Sequence, residues 1–463
     1  MCSSDLLVIG SGFAGCAAAA AAAEAGSTVA VLEKMPVAGG NSAINLGDYA
    51  AWDSSLHLRQ KFKLGDDSAA LHARDMLDAG DGYNDPALVN ALVNGAPTAL
   101  DWMIERGGLK LRDVIHRQGL SNYRMHYGPS GRGIDYIEAL RRIADAHRAR
   151  FYFGHAVSRL WRGDADGPIS GVEVKTPQGT QQWRARRAVI IAAGGFGADV
   201  AMRAAFRPIL TAAYNTTNHR GATGEMIRLA QAVGADALQL EFIEVHPYGD
   251  PASGALDTAT SYALQIRRSG AMLVGKHGKR FVNELAPHDH VSRMEMATGE
   301  RPTFTIFNEA MLQQQDAERN RVELPQLIER GRILRAASLR ELAAAAGIAA
   351  ALEDTAQRYA QMLRERKDPE FNRPFATNVA LFDGGPWYAI PNWPSVHHTM
   401  GGLRIDTSAR VIDLWGRAIP RLYAAGEVTG GIHGAARIGG NSSADPVVFG
   451  RIAGSGAARE PAA

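Results

Sequence analysis

Cysteine is nearly absent: Cys2 and Cys16 are the only two in 463 residues. Without a CxxC pair or a CxxCH run, the chain excludes a disulfide framework, a cysteine zinc site and a c-type haem attachment, and no metal site is read. Two lone thiols fit a reducing cytosol. An excess of one charge is also missing, because 50 Lys+Arg stand against 48 Asp+Glu and leave a formal charge of +2. That balance, with no basic run, excludes a nucleic-acid binder and a polybasic membrane protein. Long hydrophobic runs are lacking too. The Ala-rich stretch ends at Glu24 and is too short to span a bilayer, and the chain enters DLLVIGSG at once, so neither secretion nor membrane insertion is expected and a cytoplasmic location is. What the sequence does have is apolar content, 46% of residues, enough for two or three domains with large cores. It also has 50 glycines clustered towards both ends, which suggests backbone lying close to a ligand.

The first forty residues read strand, turn, helix, strand. Gly10, Gly12 and Gly15 fit GxGxxG: the first permits a tight turn, the second lets backbone N–H groups approach a pyrophosphate, and the third allows close helix–strand packing. The helix N-terminus adds partial positive charge. Glu33 closes the second strand about twenty residues on, placed to accept hydrogen bonds from a ribose hydroxyl pair, with Lys34 beside it. A second glycine pair follows, ending in Gly40, Asn41 and Ser42. It suits a second phosphate or a flavin ribityl chain, and so FAD more than NAD.

Residues 67–150 are mostly helical, with apolar residues at three- and four-residue spacing. Short strands follow, ending in an apolar strand from Ala188 that opens into Ala192, Ala193, Gly194 and Gly195, as a chain does when it passes close to a cofactor. Between about 241 and 381 the composition turns polar and Arg-rich, which reads as a second domain. The last segment returns to strands and then a helix from about Ser443, with Pro446 in its first turn.

These blocks resemble the fumarate reductase/succinate dehydrogenase flavoprotein superfamily, in its soluble branch of flavocytochrome c fumarate reductases and urocanate reductases, with ketosteroid desaturases further off and no haem domain. The resemblance spans nearly the whole chain and is carried by VIGSGFAG, GGNS, AAGGFG, GATGEM, GAMLVGKHGKRFVNE, VHHTMGGLRID and LYAAGEVTGGIHGAARIGGNSSAD. It implies an α/β fold: an FAD-binding Rossmann-like domain of the glutathione-reductase type (1–241 and 382–463) with an inserted α+β capping domain (242–381). It implies hydride transfer at the flavin N5 position, interconverting CH–CH and C=C beside a carboxylate or carbonyl. Arg437 stands where the family clamps substrate, and its planar fork suits a carboxylate. His246 and His397 match substrate-binding histidines. His397 and His398 are adjacent, so in an extended segment only one reaches the substrate. Gly426 and Glu427 resemble the flavin-binding AGE turn, and the helix after Asn441 and Ser442 would aim its N-terminus at the flavin. Asn41 replaces the flavin-linking histidine of membrane-bound relatives, so FAD is expected without a covalent bond.

The chain departs from the family at the proton donor. His288 stands in the place of the donor arginine, and Leu264 in that of a glutamate feeding it, while Arg267 stays in register. Two readings follow. Either His288 is the acid, its ordinary pKa of about 6.5 suiting exchange near neutrality, with Arg267 and His290 to tune it. Or the substrate differs, for example a ketone, with Tyr388 near its carbonyl as in ketosteroid desaturases. Both point away from fumarate itself and towards a small unsaturated acid or ketone. With no haem, iron–sulfur or flavodoxin-like motif, electrons are expected from, or to, a separate partner. A flavin-binding protein with a decayed active site is the remaining alternative.

Overall fold

Leu6, Leu7, Val8 and Ile9 are all buried, as in a strand covered on both faces. In the computed structural model, which describes residues 2–116, 121–315 and 317–462, they belong to strand Cys2–Ile9. It pairs in parallel with Val29–Glu33 on one side and Gly179–Ile191 on the other. The sheet continues to Arg150–Phe153 beyond the first neighbour and to Ala418–Ala424 and Arg410–Ile412 beyond the second. Chain order therefore reverses at Cys2–Ile9, and ligands of such sheets bind past the carboxyl ends of the strands at that switch point. Gly10, Glu33, Ala192–Gly195 and Gly426 all lie at those ends.

Helix Phe13–Glu24 is two-thirds alanine and is buried along its first eleven residues. An alanine helix has no amphipathic face to turn outward, and here it packs against the last helix, Asn441–Ala457. A Cβ on Gly450 would lie 2.5 Å from the Ala14 carbonyl, and one on Gly454 2.3 Å from that of Ala18. Small residues on both helices thus let the backbones meet. The last helix starts at Asn441, two residues before the expected Ser443.

The chain divides into two compact units: the first is 1–209, 218–244 and 398–463, the second 210–217 and 245–397. Composition marked 242–381 as the inserted domain. The second unit runs on to 397 because strand Trp387–Thr399 pairs antiparallel with Thr303–Asn308 and with Leu334–Ala336, and so belongs to its sheet. That sheet is completed by Ile243–Gly249 and Met272–Val274. Helices Thr258–Ile266, His288–Thr298 and Ala351–Glu365 contribute to the same apolar core.

A buried charge network ties this unit together. Glu284, 1% exposed, accepts from Arg280 Nε and Nη2 at 2.9 Å each, from Arg373 Nη1 at 2.8 Å and from the Leu273 amide at 3.1 Å. Burial alone would raise its carboxyl pKa, but Arg373 and Arg280 outweigh burial and hold it below the usual carboxylate range. Replacing Glu284 by Ala leaves two guanidinium groups short of a counter-charge, which typically costs about 3–5 kcal/mol. Urea unfolding followed by circular dichroism should show that loss at neutral pH. A group with a depressed folded pKa contributes above its unfolded pKa and stops contributing as pH falls through its folded one. The difference between wild type and Glu284→Ala should therefore narrow in acid.

Candidate active site

In the first unit, the glycine turn has the geometry its spacing implies. Gly10 has φ +102°, and a Cβ there would sit 2.3 Å from the Ala192 carbonyl oxygen. A Cβ on Gly15 would meet the Gly10 oxygen at 1.9 Å. No side chain caps helix Phe13–Glu24 at Gly12, so amides of its first turn remain available to an anion. Ser42 Oγ takes only one of them, the Phe13 amide, at 3.0 Å. Gly40 and Gly194, at φ +47° and +75°, would each turn an added Cβ into open space.

Glu33 is buried and engaged at both oxygens: Ser11 N and Oγ donate to Oε2 at 3.0 and 2.6 Å, and the Met35 amide donates to Oε1 at 2.8 Å. These bonds hold the carboxylate beside the turn and leave further lone pairs for a ribose. Lys34 bonds Thr223 Oγ at 2.8 Å and pairs with Glu225. Asn41 Nδ2 donates to Asn218 Oδ1 at 2.6 Å and its Oδ1 accepts from the His219 amide at 2.6 Å. Asn218 and His219 lie in a segment with no motif to mark it.

Glu427, half-buried, lies beside Asn41 Nδ2 at 3.4 Å and accepts from the Thr399 amide at 3.1 Å. Burial raises its carboxyl pKa against these bonds. Its position depends on Gly195, where a Cβ would fall 2.6 Å from Glu427 Oε1, and on Gly426, at φ +80°. At the start of helix Asn441–Ala457, Asn441 Oδ1 bonds His72 Nε2 at 3.0 Å, while Asn441 Nδ2 and Ser443 Oγ are buried with no partner. Buried donors of this kind await a group that accepts from them. Ser442 is half-buried in the same turn and Ala193 at the strand exit. Glycine cradle, uncapped helix and orphaned donors together fit FAD.

Arg437 is also in this unit. Its Nη2 donates to Glu244 Oε2 at 3.1 Å and its Nη1 to the Ile438 carbonyl at 3.2 Å, leaving the buried Nε without a partner. Glu244, unmarked by any motif, thus orients the fork.

The second unit gathers the remaining candidates. The His246 ring lies 4.8 Å from that of His288 and 5.2 Å from that of His397. The Tyr248 amide donates to His246 Nδ1 at 3.2 Å, so the ring proton sits on Nε2. His397 Nδ1 meets Thr217 Oγ at 2.7 Å. Arg267 Nη2 donates to His288 Nε2 at 3.0 Å, its Nε to the Leu264 carbonyl at 3.0 Å and its Nη1 to the Glu284 carbonyl at 3.2 Å. The guanidinium is thus anchored by the backbone of the charge network. His398 diverges from His397: its Nδ1 lies 3.5 Å from Glu427 Oε1.

Two expectations fail on geometry. Tyr388 is nine residues before His397 on one strand, about 30 Å at strand rise. Its hydroxyl donates to Glu309 at 2.6 Å and its ring stacks on Phe307, so it is a packed aromatic of the sheet away from the histidines. His290 is exposed, because two residues along a helix turn it away from His288. Conversely, Tyr248 went unread, although strand alternation from His246 would have placed both on one face.

A sheet whose central strands are parallel, with a glycine turn at its switch point, and a second unit that holds a histidine–arginine cluster define an FAD-dependent oxidoreductase. The chain belongs to the FAD binding domain family, whose model matches residues 5–443. It is 35% identical over 468 residues to a fumarate reductase (cytochrome) of Shewanella frigidimarina, covering 98% of this chain and 77% of that one. It is 34% identical to a urocanate reductase of Eggerthella lenta, over 98% of this chain and 74% of the other. A flavocytochrome c3 fumarate reductase in its open conformation superposes with a TM-score of 0.85 at 31% identity, covering 99% of this chain and 78% of that one. Among the described residues no helix is long and apolar enough to cross a membrane.

Because a side chain at Gly10 collides with backbone and not with a flexible neighbour, Gly10→Val should emerge from purification without FAD. An absorbance ratio at the flavin and protein bands measures this, and a wild-type ratio would contradict the placement of the cofactor at this turn.

Proposed function

We propose that the protein reduces, or in the reverse direction forms, a carbon–carbon double bond next to a carboxylate or carbonyl of a small acid or ketone. The observation that carries this reading is the cluster of three imidazoles with Arg267 in the second unit. When bound, FAD supplies or takes the hydride at its N5 position. Charge developing on the substrate oxygen must be delocalised as the hydride moves, and donors aimed at that oxygen stabilise it. His246 offers Nε2–H for this, with His397 beside it. His288 is read as the group that handles the proton; Arg267 donates to its Nε2, so the neutral ring carries its hydrogen on Nδ1. Arg437, whose fork is already oriented by Glu244, is read as the carboxylate clamp.

The names of the relatives support an unsaturated acid as the substrate class, and a ketone stays within the reading although Tyr388 is not the group that would serve it. Electrons come from a separate donor or go to a separate acceptor. A cytoplasmic setting is part of the reading and rests on two unpaired cysteines.

Anaerobic photoreduction followed by mixing with a panel of enoates and enones should show reoxidation by at least one member; none by any member would sink the proposal. With that substrate, His288→Ala should slow turnover by about 100-fold or more, as loss of a general acid does. The noncovalent attachment has its own check. Acid precipitation should release all the flavin into the supernatant, since Asn41 amide chemistry forms no bond to the ring.

A further inference from the structure

The ion pair of Arg437 with Glu244 asks more of a substrate than a carboxylate clamp does. Both residues belong to the first unit, and both are withdrawn from water: the Arg437 side chain is 8% exposed and that of Glu244 10%. One hydrogen bond joins them, from Nη2 to Oε2 at 3.1 Å, and among the described residues nothing donates to Glu244 Oε1. The guanidinium is equally underused. Of the five N–H groups that an arginine carries, one goes to Glu244 and one to the Ile438 carbonyl, and the buried Nε has no partner. A buried pair that serves only the fold closes its fork on both oxygens, as Arg280 does on Glu284 through Nε and Nη2 at 2.9 Å each. The Arg437 pair instead keeps a donor on one partner and an acceptor on the other, and buried polar groups left in this way await a ligand.

The pair stands at the cofactor end of its unit. Arg437 is four residues before helix Asn441–Ala457, where Asn441 Nδ2 and Ser443 Oγ are also without partners. Burial raises the carboxyl pKa of Glu427, and the charge of Arg437 is among the influences that draw it down, so the two face one another electrostatically.

Arg437 by itself would take any anionic oxygen. With Glu244 bonded to it, its charge is already balanced, and a ligand carboxylate gains less from the guanidinium while meeting repulsion from the acid. A group that gives an oxygen to the arginine and an N–H or O–H to Oε1 satisfies both leftover sites without adding charge. A carboxamide does this alone; a carboxylate does it only when the substrate carries a donor beside it.

We propose that Glu244 is a specificity-determining residue, which makes the Arg437 site select substrates whose oxygen is flanked by an N–H or O–H and reject those that bring a bare second carboxylate. The inference rests on the proposed double-bond chemistry with Arg437 as its clamp. It narrows the substrate class to unsaturated carboxamides and to unsaturated acids with a neighbouring hydrogen-bond donor.

The test compares matched pairs that differ in one group, fumarate against its monoamide first and then other dicarboxylates of the panel against their half-amides. The rate constant for reoxidation of photoreduced enzyme is read for wild type, Glu244→Gln and Glu244→Asp, with the flavin-to-protein absorbance ratio confirming that each variant holds FAD. Wild type should favour the half-amide. Glu244→Gln, whose amide can turn a donor towards a second carboxylate, should shift the ratio towards the dicarboxylate by about 10-fold or more, and Glu244→Asp should keep the wild-type order. A wild type that takes the dicarboxylate as fast as the half-amide, or an unchanged ratio in Glu244→Gln, overturns the inference alone. So does a wild type reoxidised by other enoates or enones but by no half-amide. A wild type reoxidised by nothing overturns the double-bond reading and this selectivity with it.

Discussion

The first unit depends on how closely its backbone segments pass at the carboxyl ends of the parallel strands. Gly10 presses on Ala192 and Gly15 on Gly10, at separations no side chain could occupy. That closeness puts the turn, the strand exit and the uncapped first helix around one space at the sheet's switch point. The same requirement for small residues shapes the helix layer, where Gly450 and Gly454 meet the alanine helix. An alanine run that would be marginal by itself becomes a buried helix because only alanine and glycine let the two axes come so near.

The second unit is organised by charge. Glu284 gathers Arg280 and Arg373, and its backbone carbonyl takes Arg267, so a network closed to solvent ends at the group that touches His288. A guanidinium held this way has lost the freedom to swing, and its remaining donor direction is set by the fold. The imidazoles gain direction by similar means: a backbone amide fixes the tautomer of His246, and Thr217 pins His397. Rigid donors matter because the charge they stabilise appears only as the reaction proceeds.

Much of the cofactor unit was legible in the chain. A glycine at a tight turn has few alternative uses when a strand precedes it and an alanine helix follows, and Glu33 at the next strand end adds an independent chemical requirement. Arg267, His246, His288 and His397 were also legible, but through block resemblance, because a histidine in a polar sequence carries no sign of what it faces. Tyr388 misled for the same reason: PWYAIP shows an aromatic near a turn, and only strand pairing reveals that Glu309 and Phe307 claim it. Glu244 carried no signal, since the Arg437 it bonds lies far away in the chain.

The amino-acid order by itself determined the glycine turn, the strand–helix–strand that follows it and the absence of metal-binding cysteine patterns, because these depend on local backbone geometry and side-chain chemistry. Only the tertiary structure decided which side chains share a space. The fork of Arg437 on Glu244 and the meeting of three imidazoles with Arg267 each require segments tens to hundreds of residues apart to be packed together, and desolvation and hydrogen bonding then give those groups properties they lack in an open chain.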